Sequence, residues 1–222
     1  MPARLAERWV CEALGTAFLL IAIVGSGIMA QRLATGDFLE ALFVNAIVTG
    51  AALSAFIVAL APVSGAPFNP LVTLQAAWHR QVGWHDVPAY LGAQLCGGLI
   101  GVGIANAMFG LPVLFASHHS RSGAGLLVGE AVATFGLLIL VDRCSRARAQ
   151  LLPVSIGAYI AAAIMFTSST SFANPVVTIA RSMSDTFAGI APRDVLPFIL
   201  AQVGGAIAAV ALTGWIAQRH DP

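Results

Sequence analysis

Six stretches of mostly apolar residues follow one another along the chain, at about residues 9–30, 40–62, 88–109, 125–142, 151–169 and 194–217. Each is close to the roughly 20 helical residues that cross a hydrocarbon layer of about 30 Å. The pattern therefore predicts an all-α membrane protein with six transmembrane helices.

Two further apolar stretches are interrupted by proline, glycine and serine: "PVSGAPFNPLVTLQAAW" at 62–78 and "SSTSFANPVVTIARSM" at 168–183. Each has about nine residues that suit a helix after its Asn-Pro pair, and at 1.5 Å per residue these span about 13 Å. That length is about half of the hydrocarbon layer. The sequence therefore predicts two half-membrane helices.

The two halves of the chain resemble each other. "CEALGTAFLLI" aligns with "GEAVATFGLLI" and pairs Glu12 with Glu130, while "DVPAYLGAQLCGG" aligns with "DVLPFILAQVGGA" and pairs Gln94 with Gln202. Each copy holds three full spans, and because three is odd the second copy enters the membrane from the opposite side. We expect one transmembrane domain over residues 1–222, with inverted repeats at about 8–110 and 125–217.

The two Asn-Pro pairs suit the start of a half-helix. Asn69 and Asn174 can each act as N-cap, and Pro70 and Pro175 then occupy the first helical position, where no N–H is needed. Such a cap uses the amide oxygen and leaves the NH2 group free. If the two helix starts meet inside a pore, their dipoles and amide donors favour an oxygen lone pair and repel a cation.

Composition and charge narrow the function classes. Of the 222 residues 58% are hydrophobic and only 9% are charged, and the net charge is +1 with no lysine. Soluble domains carry about 25% charged residues. The chain is therefore expected in a lipid bilayer, without a nucleic-acid partner. Three widely spaced cysteines without metal-ligand spacing are interpreted as packing thiols, and we expect no metal and no cofactor.

The arginines predict the orientation. With six spans, one side of the membrane receives seven arginines and the other side four; the larger group is Arg4, Arg8, Arg80, Arg143, Arg146, Arg148 and Arg219. Positive loops stay in the cytoplasm. We therefore expect a multi-pass protein of the cell's inner (plasma) membrane with both termini in the cytoplasm.

The doubled Asn-Pro motif, the paired Glu and Gln residues and the chain length resemble the aquaporin and aquaglyceroporin family, most of all the rhizobial members linked to arsenic resistance. The usual Asn-Pro-Ala reads Asn-Pro-Leu at Leu71 and Asn-Pro-Val at Val176. The resemblance implies a homotetramer with one passive channel per subunit and no enzyme activity. The implied solutes are water, glycerol and arsenite, with antimonite and methylated arsenicals as further candidates.

The resemblance also implies an outer selectivity filter at fixed distances from the two asparagines. Counting along this sequence gives Thr49, Ala162, Ser171 and Val177. Val177 stands three residues after Asn174, where the family nearly always has arginine. The expected filter is thus small, uncharged and wide.

Several other polar residues are candidates. We expect Glu12 and Glu130 to accept from backbone N–H groups of the irregular segments, supported by Gln94 and Gln202. Arg181 has two interpretations: an interface arginine paired with Asp185, or a filter charge moved outward into the vestibule. His118 and His119 lie in the outer loop between the halves, and two interpretations stay open for them: a solvated pair, or a gating or metal role.

Two other function classes remain as alternatives. An ion-coupled secondary transporter also uses inverted repeats and broken helices, and its coupling residues would be Glu12 or Glu130. A membrane-embedded hydrolase would need a catalytic constellation at membrane depth, and the sequence offers none.

Overall fold

The computed structural model describes residues 4–34 and 36–220. All regular elements in these residues are helical. They are α1 (Leu5–Leu33), α2 (Phe38–Ser64), α3 (Pro70–Trp78), α4 (Val87–Met108), α5 (Ala124–Ala147), a 3-10 turn (Ala149–Leu151), α6 (Leu152–Phe166), α7 (Pro175–Arg181) and α8 (Pro192–His220).

Six of these elements are long and apolar enough to cross a membrane: α1, α2, α4, α5, α6 with its preceding turn, and α8. The six predicted spans are therefore confirmed. The two half-helices are also present, as α3 with 9 residues and α7 with 7 residues. Irregular backbone precedes each half-helix, at residues 65–69 and 167–174, and residues 62–64 of the first segment are the end of α2.

The helices pack in matching pairs. In the first half α1 packs against α2 and α4, and in the second half α5 packs against α6 and α8. The two halves meet where α2 packs against α6. Each half-helix lies against the last long helix of its own half, α3 on α4 and α7 on α8.

Glycines allow the closest helix crossings. A side-chain carbon at Gly97 or Gly101 would lie 2.1 or 2.3 Å from a carbonyl oxygen of α1, so α4 and α1 are in backbone contact. At Gly205 it would lie 2.3 Å from the carbonyl oxygen of Ala131, which joins α8 to α5 in the same way. Such contacts are typical of helix pairs in membranes. At the neighbouring Gly204, by contrast, no atom lies within 4 Å of the added carbon.

These neighbouring glycines give a test of the packing. We expect Gly205→Ala to destabilise the protein by about 1–3 kcal/mol, because the methyl group forces α8 away from α5. Gly204→Ala makes the same chemical change in open space and is the control. Thermal unfolding of both purified variants in detergent measures the difference. Equal unfolding midpoints would contradict the proposed close contact.

Candidate functional site

The two half-helices meet at their N-terminal ends. Asn69 caps α3 by accepting from the N–H of Leu71, and Asn174 caps α7 by accepting from the N–H groups of Val176 and Val177. The predicted caps are confirmed. The amide of Asn69 also donates to the carbonyl oxygen of Ala173 at 2.8 Å, across to the other half.

The reciprocal bond is equally short, since the amide of Asn174 donates to the carbonyl oxygen of Phe68 at 2.8 Å. The expectation that each NH2 group is wholly free is therefore wrong. An amide NH2 has two protons, and one of them binds the opposite half. One donor of each asparagine remains for a solute.

The segment before each asparagine has an unusual backbone. Ala66 and Phe68 have φ values of 50° and 47°, and Ser171 and Ala173 have φ values of 46° and 49°. These residues stand three and one positions before the two asparagines. The left-handed region costs about 1–2 kcal/mol per residue that is not glycine. Other contacts must therefore hold both segments in place.

The two buried glutamates supply these contacts. Glu12 accepts from the backbone N–H of Phe68 at 3.0 Å, and Glu130 accepts from Phe172 and Ala173 at 2.8 and 3.0 Å. Both side chains are fully buried. A carboxylate that accepts backbone N–H groups in this way fixes the irregular segment against its long helix.

Glutamine and threonine complete each network. Gln94 donates to Glu12 at 2.8 Å and to Thr73 at 2.9 Å. Gln202 makes the corresponding bonds to Glu130 at 2.6 Å and to the hydroxyl of Thr178 at 2.8 Å. A role for Thr73 and Thr178 was not predicted from the sequence. The repeat could have indicated it, because each threonine stands four residues after the asparagine of its own half.

A cavity of about 400 Å³ passes the asparagine pair. It extends from residues at the C-terminal end of α3 to Arg181 at the C-terminal end of α7. We call the first end the α3 mouth, defined by Arg8, His79, Gln81 and Asp142, and the second the α7 mouth, defined by Arg181. Both asparagines line the cavity between these mouths. The other four residues of the two motifs are buried and are absent from the cavity lining: Pro70, Leu71, Pro175 and Val176.

Three of the four expected filter residues lie on the cavity: Thr49, Ser171 and Val177. Val177 is only 2% exposed. Val72, three residues after Asn69, lines the cavity at the corresponding position of α3. The hydroxyl oxygens of Thr49 and Ser171 have no hydrogen-bond partner within the described part of the chain.

The fourth expected filter residue, Ala162, is not in the lining. It lies exposed on the outer side of α6, and Ile160 and Ile164 of the same helix face the cavity. Two residues along a helix turn the side chain by about 200°, which places Ala162 on the opposite face. Counting back from Asn174 failed because it crosses the irregular segment after Phe166. The cavity wall at α6 is therefore isoleucine.

Arg181 is buried, and its interpretation as an interface arginine paired with Asp185 is wrong. Its guanidinium donates to the carbonyl oxygen of Ala188 and lies 3.4 Å from the ring centroid of Phe172. It follows Val177 by one helical turn on the same face and lines the cavity. The structure thus has a positive charge at the α7 mouth.

A second buried arginine, Arg121, approaches the same ring at 5.0 Å and was missed as a site residue. It donates to the carbonyl oxygens of Gly189 at 2.7 Å and Phe187 at 3.3 Å. It therefore fastens the loop before α5 to the segment after α7. In the sequence, this arginine in the loop between the halves contributed only to the arginine count that predicts the orientation.

The histidine pair belongs to the same loop. His118 is highly exposed and its ring lies 2.9 Å from the carboxylate of Asp185. The backbone N–H of His118 also donates to that carboxylate and, with the ring contact, lowers the pKa of Asp185. Burial and the nearby arginines lower the pKa of His119. The contacts between His118 and Asp185 join the loop before α5 to the segment after α7.

Comparison with known proteins places the chain in a family. The family model "Major intrinsic protein" matches residues 3–172. The chain is 44% identical over 218 residues to aquaglyceroporin AqpS of Rhizobium meliloti (strain 1021), covering 98% of this chain and 93% of that protein. The chain belongs to the major intrinsic protein family. As a member of this family it is a multi-pass membrane protein that passes small solutes passively, and it is not an enzyme.

Other relatives agree with this membership. Aquaporin NIP1-1 of Oryza sativa subsp. japonica is 30% identical, over 91% of this chain and 71% of that protein. Among solved structures, the aquaglyceroporin from Plasmodium falciparum has a TM-score of 0.70 over 94% of this chain and 93% of its own. Because the sequences are only 19% identical, this structural likeness supports the fold alone.

The glutamate networks lead to a prediction about folding. The two carboxylate oxygens of Glu12 accept from Ser64, Phe68 and Gln94. Glu12→Gln replaces one of these oxygens with an NH2 group, so one of the donors loses its acceptor. A buried donor left unpaired costs about 1–3 kcal/mol. We expect a lower thermal midpoint of the purified protein and little change in flux per folded molecule.

Glu40→Gln is the matched control, because Glu40 is exposed in the first turn of α2. It should leave the midpoint unchanged. A Glu12→Gln variant of normal stability that has lost its flux would show that Glu12 acts in permeation.

Proposed function

We propose that the chain forms a wide passive pore for small uncharged solutes, among them water, glycerol and arsenite, with antimonite and methylated arsenicals as further candidates. The observation that carries this proposal is the position of Val177. It is buried on the cavity, three residues after Asn174, where family members have an arginine that narrows the pore. A valine there occupies less of the cross-section and brings no charge.

The polar contacts of the filter come from hydroxyl groups. Thr49 and Ser171 line the cavity, and their hydroxyl oxygens are buried without a partner within the described residues. A rotation of either side chain would let its hydroxyl donate to and accept from a solute. Val177 and Ile164 supply the apolar wall. A solute that sheds its water at this place regains some hydrogen bonds. Val177 itself brings no charge, and the fixed cation, Arg181, lies one helical turn farther along the cavity.

The asparagine pair forms the central point of selection. The remaining amide protons of Asn69 and Asn174 and the N-terminal ends of α3 and α7 favour an electron-rich oxygen. The same arrangement opposes cations, and Arg181 at the α7 mouth adds a positive charge on the way in. Neutral hydroxylated molecules meet neither obstacle.

Arsenite fits this chemistry because at neutral pH it is an uncharged molecule with several hydroxyl groups. The resemblance to arsenic-resistance members of the family and the identity of 44% with AqpS support this choice. A wide outer opening suits molecules that are bulkier than glycerol. Flow follows the solute gradient in either direction.

Assembly and orientation are part of the proposal. We infer a homotetramer with one pore per subunit, since family members assemble in this way. Exposed apolar side chains along the long helices provide surfaces for lipid or for neighbouring subunits. The arginine distribution supports insertion in the inner membrane with both termini in the cytoplasm. The α3 mouth then faces the cytoplasm.

The alternative of an ion-coupled transporter is disfavoured by the placement of the two glutamates. Glu12 and Glu130 are absent from the cavity lining and are occupied by hydrogen bonds to the irregular segments. A coupling carboxylate must exchange a proton or ion with the pathway. Flux into proteoliposomes that is independent of proton and sodium gradients would support the channel.

The filter proposal is tested by Val177→Arg. The new side chain should reduce glycerol and arsenite permeation about tenfold or more, since it narrows the opening and adds a charge. Water flux should fall much less, because water fits the narrower opening and can bind the new donors. Stopped-flow light scattering and arsenite uptake on proteoliposomes with equal protein content measure both.

Arg181 requires a control. It lies one turn from the new arginine and the two charges repel each other, so Val177→Arg with Arg181→Ala separates repulsion from narrowing. An equal loss of water and glycerol flux in both variants would show that Val177 does not set the size limit.

The central donors are tested by Asn69→Ala and Asn174→Ala. Each change removes a donor to the solute, the bond to the opposite half and a cap worth about 0.5–2 kcal/mol. We expect strong loss of solute flux and a lower thermal midpoint in both. Unchanged flux and stability in the two variants would refute the paired-donor pore.

A further inference from the structure

The two half-helices differ in the side chains that they present to the cavity. On α3 the lining residues follow one face at Asn69, Val72, Gln75, Ala76 and His79. On α7 the corresponding face has Asn174, Val177 and Arg181. The first two positions match in the two helices. Six residues after the asparagine, however, α3 has Gln75, and α7 has Ala180 outside the lining.

Gln75 is held in one orientation by a long-range bond. It is 3% exposed, and its side-chain amide donates to the carbonyl oxygen of Leu138 in α5 at 2.9 Å. A carbonyl oxygen can only accept, so the nitrogen of Gln75 must face Leu138. The amide oxygen is thereby turned to the other side.

That oxygen has no hydrogen-bond partner within residues 4–34 and 36–220. A buried acceptor without a donor is unfavourable, and such groups in native proteins are satisfied by water or by a ligand. The oxygen is itself buried, but Gln75 belongs to the cavity lining, so a small rotation of the side chain would let a donor in the cavity reach it.

Six residues of helix separate Gln75 from Asn69, which corresponds to about 9 Å along α3. Asn69 offers a donor to the solute and Gln75 offers an acceptor. Beyond it, the carboxylate of Asp142 at the α3 mouth accepts from Arg146 at 3.0 Å and lies 3.1 Å from the ring of His79. The Gln75 region is therefore polar, and the carboxylate at its side is paired with Arg146 and His79 through one of its oxygens.

We propose that Gln75 forms a second solute-binding station for molecules with hydroxyl donors, about 9 Å from the asparagine pair on the side of the α3 mouth. The proposal rests on the proposed function, because it assigns a step of passage to the same pore. A polyhydroxylated solute donates one hydroxyl to the amide oxygen after it leaves the asparagines.

The station distinguishes such solutes from water. Water molecules in a file bind one another and depend less on any single wall group. A larger solute displaces its neighbours from the cross-section and must find donors and acceptors on the wall. Loss of the Gln75 acceptor should therefore affect glycerol and arsenite more than water.

The test is Gln75→Met, which keeps the length of the side chain and removes both polar groups. A second variant, Gln75→Ala, gives α3 the residue that α7 has at Ala180. The control is Gln31→Met, because Gln31 is an exposed glutamine of α1 that is absent from the cavity lining. Proteoliposomes of each variant and of the unchanged protein are compared for water, glycerol and arsenite permeability.

We expect both Gln75 variants to lower the glycerol-to-water and arsenite-to-water ratios about two- to tenfold, the range of one hydrogen bond. Gln31→Met should leave both ratios unchanged. Thermal midpoints and elution volumes in detergent establish that the variants are folded.

Three results would overturn the proposal. If the unchanged protein conducts glycerol and arsenite and both Gln75 variants keep its ratios, the station is wrong and the proposed function stands. If the variants lose water and solute flux in equal proportion, or do not fold, Gln75 serves only as a link between α3 and α5. If the unchanged protein conducts neither solute above protein-free liposomes, the proposed function fails, and the station fails with it.

Discussion

The pore depends on two carboxylates that lie outside it. Glu12 and Glu130 accept backbone N–H groups from segments whose residues adopt left-handed conformations. Without these acceptors the segments would relax to ordinary backbone, the starts of α3 and α7 would separate, and Asn69 and Asn174 would no longer reach across to the opposite half. In a hydrocarbon layer no water can take over these bonds, so each glutamate is confined to a single arrangement.

The two halves match where the chain is held together and at the first cavity positions of the half-helices, and they differ farther along the cavity. Matching Glu, Gln and Thr residues support both half-helices, and Val72 and Val177 match on the cavity wall. Beyond these the two faces diverge, with Gln75 on α3 and Arg181 on α7. The pore thus has an uncharged acceptor towards one mouth and a fixed cation at the other. The residues that hold the half-helices in place thus repeat in both halves, whereas the cavity lining beyond the two valines differs between them.

Local features could be predicted from the sequence, whereas counting across irregular backbone succeeded in one half and failed in the other: Thr49 lies on the cavity and Ala162 does not. The caps at Asn69 and Asn174 follow from an ungapped motif, and Val177 follows from the same motif at one helical turn. Ala162 failed because the segment between α6 and α7 has no fixed rise per residue. One of the two interpretations of Arg181 gave it the wrong partner, because its contact with Ala188 depends on how the chain turns back after α7, which composition and spacing do not determine.

The contact between α2 and α6 has a consequence for the speed of transport. A side-chain carbon at Gly157 would lie 2.3 Å from the carbonyl oxygen of Gly50, so the two halves of the protein touch through their backbones there. Rocking of one half against the other would have to slide these helices past each other, as alternating access demands. A joint that is packed so closely resists sliding. Throughput is then limited by the energy profile along a pore that stays open, and each molecule can cross without waiting for a rearrangement on the microsecond-to-millisecond timescale of domain motion.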